Sequence, residues 1–188
     1  TFDSAANAQP DNTDWLTEYL RKANMSGTFF MLGKDIQARL GDRSVSGLQA
    51  TFSQQCVGVQ GWEFRSHSHW QDWQDSVRRS ADLVKNKLPE NYVPLFRPPD
   101  GQRRSDAQGF FNTQGLQVAL WDIDAQDGAG KLKGPQSAQR VLTLMLLWRH
   151  GVINFNMKQD AVKTSLPWLI TQTAQSGIGW EDCQNAFR

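Results

Sequence analysis

The sequence predicts one α/β domain built on a parallel sheet, either closed as a barrel or open and doubly wound. Two observations carry this: strand-length apolar runs alternate with helical periods along the whole chain, and no linker, repeat or low-complexity tract divides it. The length of 188 residues suits one domain with one substantial core.

The elements follow in order. Asn12-Thr13-Asp14 can cap a helix whose Trp15, Leu16, Tyr19, Leu20 and Ala23 keep the 3.6-residue period, and Gly27 then introduces a strand over 28–32. The polar, Gly-punctuated stretch 34–55 predicts one or two short helices before a strand over 57–64. Val77, Ala81, Val84 and Leu88 share one face of a helix over 75–88 that Pro89 ends, and 92–96 is the next strand. A short helix near 105–113 precedes one buried strand over 116–123. Pro135 then starts a helix that runs to His150 and stops at Gly151. A strand over 152–155, a helix over 160–175 that must accommodate Pro167, and a short strand over 178–183 complete the chain.

Composition excludes several function classes. No stretch approaches the ~20 apolar residues of a membrane-spanning helix. Lys plus Arg number 20 against 19 Asp plus Glu, which leaves no bulk field to attract nucleic acid. Eight tryptophans offer flat faces that can stack on sugar rings or fill a core. Cys56 and Cys183 are either buried thiols or one long-range bridge, and a bridge implies an oxidising compartment. The opening Thr1-Phe2-Asp3 reads like the end of a strand and predicts further sequence upstream.

In a parallel α/β sheet, chemistry collects at the C-terminal ends of the strands. Asp3, Ser66-His67, Arg97, Asp124 and Asn156-Met157 stand at those ends. They are separated by near-multiples of the roughly 30-residue strand-helix unit, so a common rim is expected. Each has a plainer reading: His67-Ser68-His69 as an exposed loop, Asp124 and Asp127 as turn residues, Arg97 as a structural partner for a carboxylate, and His150 as a helix C-terminal residue suited to the macrodipole.

Several segments resemble the motifs of the NodB-homology polysaccharide deacetylases, carbohydrate esterase family four. Thr1-Phe2-Asp3 is similar to the family's T-F-D-D, and Gly27-Thr28-Phe29-Phe30 to its A-T-F-F. Glu63-Phe64-Arg65-Ser66-His67-Ser68 is similar to its E-I-G-N-H-T, and Phe96-Arg97-Pro98-Pro99-Asp100-Gly101 to its F-R-P-P-x-G. Trp121 to Asp127 resembles W-x-x-D-S-x-D, and Gly151-Val152-Ile153 resembles the G-S-I that leads into L-L-H-D. The resemblance covers the whole chain in order. It implies a single-domain distorted (β/α) barrel over 1–188 with about seven parallel strands.

The resemblance also implies a chemistry. In the family, a metal held by one Asp and two His polarises the acetamide carbonyl, a second Asp acts as base and a His as acid. Carried over, Asp3 matches the base, Arg97 the arginine that orients it, and Asp124 the carboxylate supporting the catalytic histidine. His67 matches one metal ligand, but the other two positions hold Ser4 and Gln71, and the acid position holds Met157. A thioether cannot deliver a proton near neutral pH, and one imidazole with neutral oxygens is a poor metal site. The expectation is therefore no tightly bound cofactor, with zinc or another divalent ion present only if His69 or Asp72 rebuilds the site.

Pro98, Trp70 and Trp121 are the expected substrate-binding residues, with Trp73 close by. Three functions compete. The first is a glycan-binding domain with little or no deacetylase activity. The second is an active N-deacetylase or esterase acting on N-acetylglucosamine-containing polysaccharide, chitin or peptidoglycan. The third is a purely structural module beside further domains of a larger protein. The expected partner is a polysaccharide, not nucleic acid, and the family's usual substrates imply a secreted, periplasmic or cell-envelope location.

Overall fold

A computed structural model describes residues 1–4, 11–64, 69–128 and 131–187. Seven strands form one sheet: β1 (Phe2–Asp3), β2 (Thr28–Met31), β3 (Cys56–Val59), β4 (Tyr92–Phe96), β5 (Gln117–Val118), β6 (Ile123–Asp124) and β7 (Ile153–Asn156). Their order is β5-β4-β3-β2-β1-β7-β6 and every pairing is parallel. The sheet curls into a half-barrel wrapped, among the described residues, by seven α-helices: α1 (Thr13–Lys22), α2 (Gly33–Asp42), α3 (Val45–Thr51), α4 (Trp70–Lys87), α5 (Gln108–Gln114), α6 (Gly134–Trp148) and α7 (Ala161–Thr173).

The strand period of two sorts side chains into two cores. Phe2, Phe29, Val57, Val59, Phe96 and Phe155 face the helices and meet Leu16, Leu20, Ile36, Val84 and Leu166. Phe29 is fully buried between the ring of Phe2 at 4.9 Å and that of Phe52 at 5.7 Å. Burial of one such ring stabilises the fold by roughly 2–3 kcal/mol. The opposite face carries Phe30, Cys56, Val93, Leu95 and Ala119, and the C-terminal Cys183 and Phe187 pack into it. Gly58 on this face is required by close approach, since a Cβ there would lie 2.7 Å from the Phe30 ring.

Where the structure differs from the sequence reading, the reasons are physical. The expected strand over 116–123 is two strands, β5 and β6, on opposite edges of the sheet. Between them the chain crosses the mouth of the half-barrel, and its Ala119 and Leu120 carbonyls bond to the Arg97 side chain rather than to a neighbouring strand. The strand expected over 57–64 ends at Val59, and α4 begins at Trp70 rather than near 75.

No strand forms over 178–183. That segment is held instead by a disulfide between Cys183 and Cys56, which resolves the open choice between thiols and a bridge. Closing a loop with a sequence separation of 127 restricts the unfolded chain, an effect worth on the order of 4–5 kcal/mol in the chain-entropy account. Pro167 is accommodated inside α7, and Pro94 lies in β4 just before pairing with β5 begins at Leu95, where a missing N–H costs no ladder bond.

Candidate functional site

Asp3 ends β1 and lies level with Phe30 on β2 and Asn156 on β7, so its side chain shares the inner face of the half-barrel with theirs. Arg97 directly follows β4 and is fully buried. Its Nη1 donates to Asp3 Oδ1 at 2.8 Å, to Thr1 Oγ1 at 2.7 Å and to Asn154 Oδ1 at 3.2 Å. Nε and Nη2 donate to the carbonyls of Ala119 and Leu120, each at 2.9 Å. Above and below, the guanidinium meets the rings of Phe30 at 4.0 Å and Trp121 at 5.3 Å. Asn154 Nδ2 donates to the second oxygen of Asp3 at 3.0 Å, so both carboxylate oxygens are held. Burial pushes the Asp3 carboxyl above its ordinary range, against the opposing pull of Arg97 and the Asn154 amide. Such a fixed carboxylate with a raised pKa has the attributes of a general base.

The other half of the rim is wired differently. Ser4 is buried and its hydroxyl donates to Asp35 Oδ2. Asp35 lies in the first turn of α2, where burial lifts its carboxyl above the usual range and the Asp11 charge adds to that, while Ser4 and Arg39 oppose it. Beside it, Arg39 and Asp11 form a buried ion pair at 2.7 Å. Gln71 is exposed on α4 and donates to Asp75 Oδ1 at 3.0 Å. His67 lies outside the described residues; His69 and Asp72 are exposed at the start of α4. Among the described residues no three His, Cys, Asp or Glu side chains converge as a metal-holding group. A neutral hydroxyl held by Asp35 and a neutral amide on the exposed surface of α4 do not fit a divalent ion that prefers anionic or imidazole donors.

On the β6–β7 side, Asp124 Oδ1 accepts the backbone N–H of Gln126 at 2.8 Å in a local turn. Asp127 is buried and accepts the Asn156 N–H through both oxygens, at 3.0 and 3.2 Å. Burial raises its pKa to about 7, with the Asp124 and Asp3 charges adding to the effect. Met157 is fully buried in the helix-side core, and its sulfur accepts the Thr13 hydroxyl at 3.6 Å. The period of β7 explains this: 153, 155 and 157 point to the helices, while Asn154 and Asn156 share the face of Asp3.

The aromatic residues separate into two groups. Trp121 is partly exposed, against Arg97 and over Gly101, whose φ of +70° lets the backbone turn beneath the indole. Trp70 and Trp73 stack at 5.2 Å within a cluster with Phe110, and the Arg104 guanidinium lies 4.8 Å from the Trp70 ring. Pro98 follows Arg97 and borders the space between these groups.

The structure thus brings Asp3 and Arg97 into contact, places Trp121 against Arg97, and puts Asp124 at the end of β6, one strand beyond β7 from Asp3. It does not bring Met157 or Gln71 to them. Sequence reasoning missed Asp35 and Asn154 as members of the rim; Asp127 it had weighed beside Asp124, with a turn residue as the plainer reading. The alternation Ile153-Asn154-Phe155-Asn156 was the available signal for Asn154, and an acid in the first turn of a helix just after a strand was the signal for Asp35.

A curled sheet of seven parallel strands with surrounding helices matches the architecture of the carbohydrate esterase family four barrels. The polysaccharide deacetylase family profile matches residues 1–119, and the chain belongs to that family. A bifunctional xylanase/xylan deacetylase of Cellvibrio japonicus is 29% identical over 136 residues, 69% of this chain and 19% of that protein. Among solved structures, a family-four pseudoenzyme from Bacillus anthracis superposes with a TM-score of 0.76 at 18% identity, covering 96% of this chain and 62% of that one. The peptidoglycan deacetylase PdaC from Bacillus subtilis gives 0.73 at 18% identity over 95% of this chain and 83% of that one. A family-four carbohydrate esterase from Streptomyces lividans in complex with acetate gives 0.74 at 19% identity, over 98% of this chain and 92% of that one. At these identities the structural matches establish the fold.

Proposed function

We propose that this polysaccharide deacetylase-family domain binds glycan along the rim of its half-barrel and releases little or no acetate. One observation carries the reading: two positions that hold metal in the family carry neutral side chains, Ser4, buried and donating to Asp35, and Gln71, exposed on α4 beside Asp75. Asp3 and Arg97 persist, yet a base without carbonyl activation or a proton donor gives slow amide hydrolysis. Trp121 beside Arg97 supplies the platform for a sugar ring. A pseudoenzyme among the structural relatives supports the reading. The disulfide supports a secreted or cell-envelope location, and the Cellvibrio relative makes acetylated xylan a candidate glycan beside chitin and peptidoglycan.

The test pairs elemental analysis of the purified protein with acetate release from acetylated xylan, chito-oligosaccharides and peptidoglycan fragments. Substoichiometric metal, no acetate, and glycan binding that Trp121→Ala removes without lowering Tm are the expected results. A full equivalent of bound metal, with turnover abolished by Asp3→Asn, would overturn the proposal. A second reading, an active deacetylase with a rebuilt site, is favoured by one observation: Asp35 keeps a carboxylate at Ser4, next to the base. Under that reading Asp35→Asn removes both metal and turnover.

A further inference from the structure

A cavity of about 400 Å³ opens beside the rim, between β4, β5 and α5, away from the Asp3–Arg97 pair. It falls within the usual size range of small-ligand pockets. Trp73, Phe96 and Phe111 form an apolar wall, and their rings pack edge-on or tilted against one another at 5.4 to 5.8 Å. Pro98 closes the side toward Arg97, so the cavity adjoins the rim where a glycan chain would pass. Arg103 and Arg104 also line the space, and no Asp or Glu is among the described residues lining it.

The two arginines are not equivalent. Arg104 is half-buried, grips both oxygens of Asp106 at 3.2 and 3.3 Å, and lies over the Trp70 and Trp73 rings, so its charge is compensated. Arg103 is exposed, and no described residue bonds to it. The lining therefore includes one uncompensated guanidinium, that of Arg103, together with the Gln102 and Gln108 amides. A planar guanidinium pairs with a carboxylate through two parallel hydrogen bonds, and an apolar wall suits the C–H surface of a pyranose.

We propose that this cavity is a specificity subsite for a carboxylate-bearing sugar unit of the glycan, with Arg103 as the residue that reads the acid. The inference rests on the glycan-binding reading and names the class of glycan it favours. A neutral sugar would fill the aromatic wall and leave Arg103 to solvent. A uronate or lactyl-ether sugar would satisfy both.

Titration calorimetry of the intact chain tests this with three probes: a neutral xylo-oligosaccharide, the same length of oligosaccharide bearing one glucuronic acid, and a disaccharide containing N-acetylmuramate. The acidic probe whose source is the natural one should bind about tenfold more tightly than the neutral one, the ratio a charge-assisted bidentate contact supplies. Arg103→Ala should erase that ratio and leave neutral binding and Tm unchanged, while Arg103→Lys should retain part of it. Neutral binding with no acidic preference, or a preference that survives Arg103→Ala, would overturn the subsite while sparing the glycan reading. Absence of binding by all three probes would overturn both.

Discussion

The two halves of the rim are built from the same strand ends yet use their polar groups in opposite ways. On one side, Arg97 donates to three backbone-anchored side chains and two carbonyls, tying β1, β4, β7 and the crossing segment 119–120 together. On the other, the Ser4 hydroxyl donates to Asp35 beside the end of β1, and Gln71 meets Asp75 on the exposed surface of α4. The contrast separates a side chain that ties several strands together, and so bears on the stability of the whole sheet, from side chains that each make a single local contact.

The comparison can be broken most forcefully at Arg97. Arg97→Met should cost about 3–5 kcal/mol in urea denaturation, because Asp3 is left buried without its cation. A loss below about 1 kcal/mol would mean that the arginine holds no structural role.

Asp127 gives the next largest effect, and its sign can be worked out. Its folded pKa of about 7 stands above the ordinary 3.8. The protonated fold is therefore favoured, and this contribution is fully present below about pH 4 and lost as pH rises through about 7. Asp127→Asn should flatten that fall, which is on the order of 4 kcal/mol at most, in denaturation curves taken at pH 4.5 and 7.5. Parallel curves for wild type and variant would refute the assignment.

Smaller changes are expected on the rewired side. Ser4→Ala should cost about 1 kcal/mol at neutral pH, the net value of one hydrogen bond to Asp35, measured by thermal melting. Gln71→Ala should stay within about 0.5 kcal/mol, since the residue and its partner Asp75 are exposed. A Gln71 effect larger than that of Ser4 would reverse the ranking of the two positions.

Much of the rim was legible before any coordinates. Asp3, Arg97 and Asp124 stand at strand ends because each follows an apolar run of strand length, and parallel connections bring such ends to one side. Met157 shows the limit of reading by spacing alone. Its place in the motif order suggested the rim, but counting from Phe155 in steps of two turns it toward the helices and the Thr13 hydroxyl. Asp35 was illegible as a rim residue, and the burial and raised pKa of both Asp35 and Asp127 could not be read from the sequence because they arise from elements distant in it.

Local chemistry in the chain was enough to settle the alternation of strands and helices, their parallel arrangement and most of their limits, because hydrophobic period, prolines and glycines act over a few residues. It also supplied the family motifs. Folding in three dimensions alone could split 116–123 between two edges of the sheet, join Cys56 to Cys183, and pair Ser4 with Asp35. Each of those outcomes depends on groups tens of residues apart meeting when the sheet curls, and no local pattern encodes that closure.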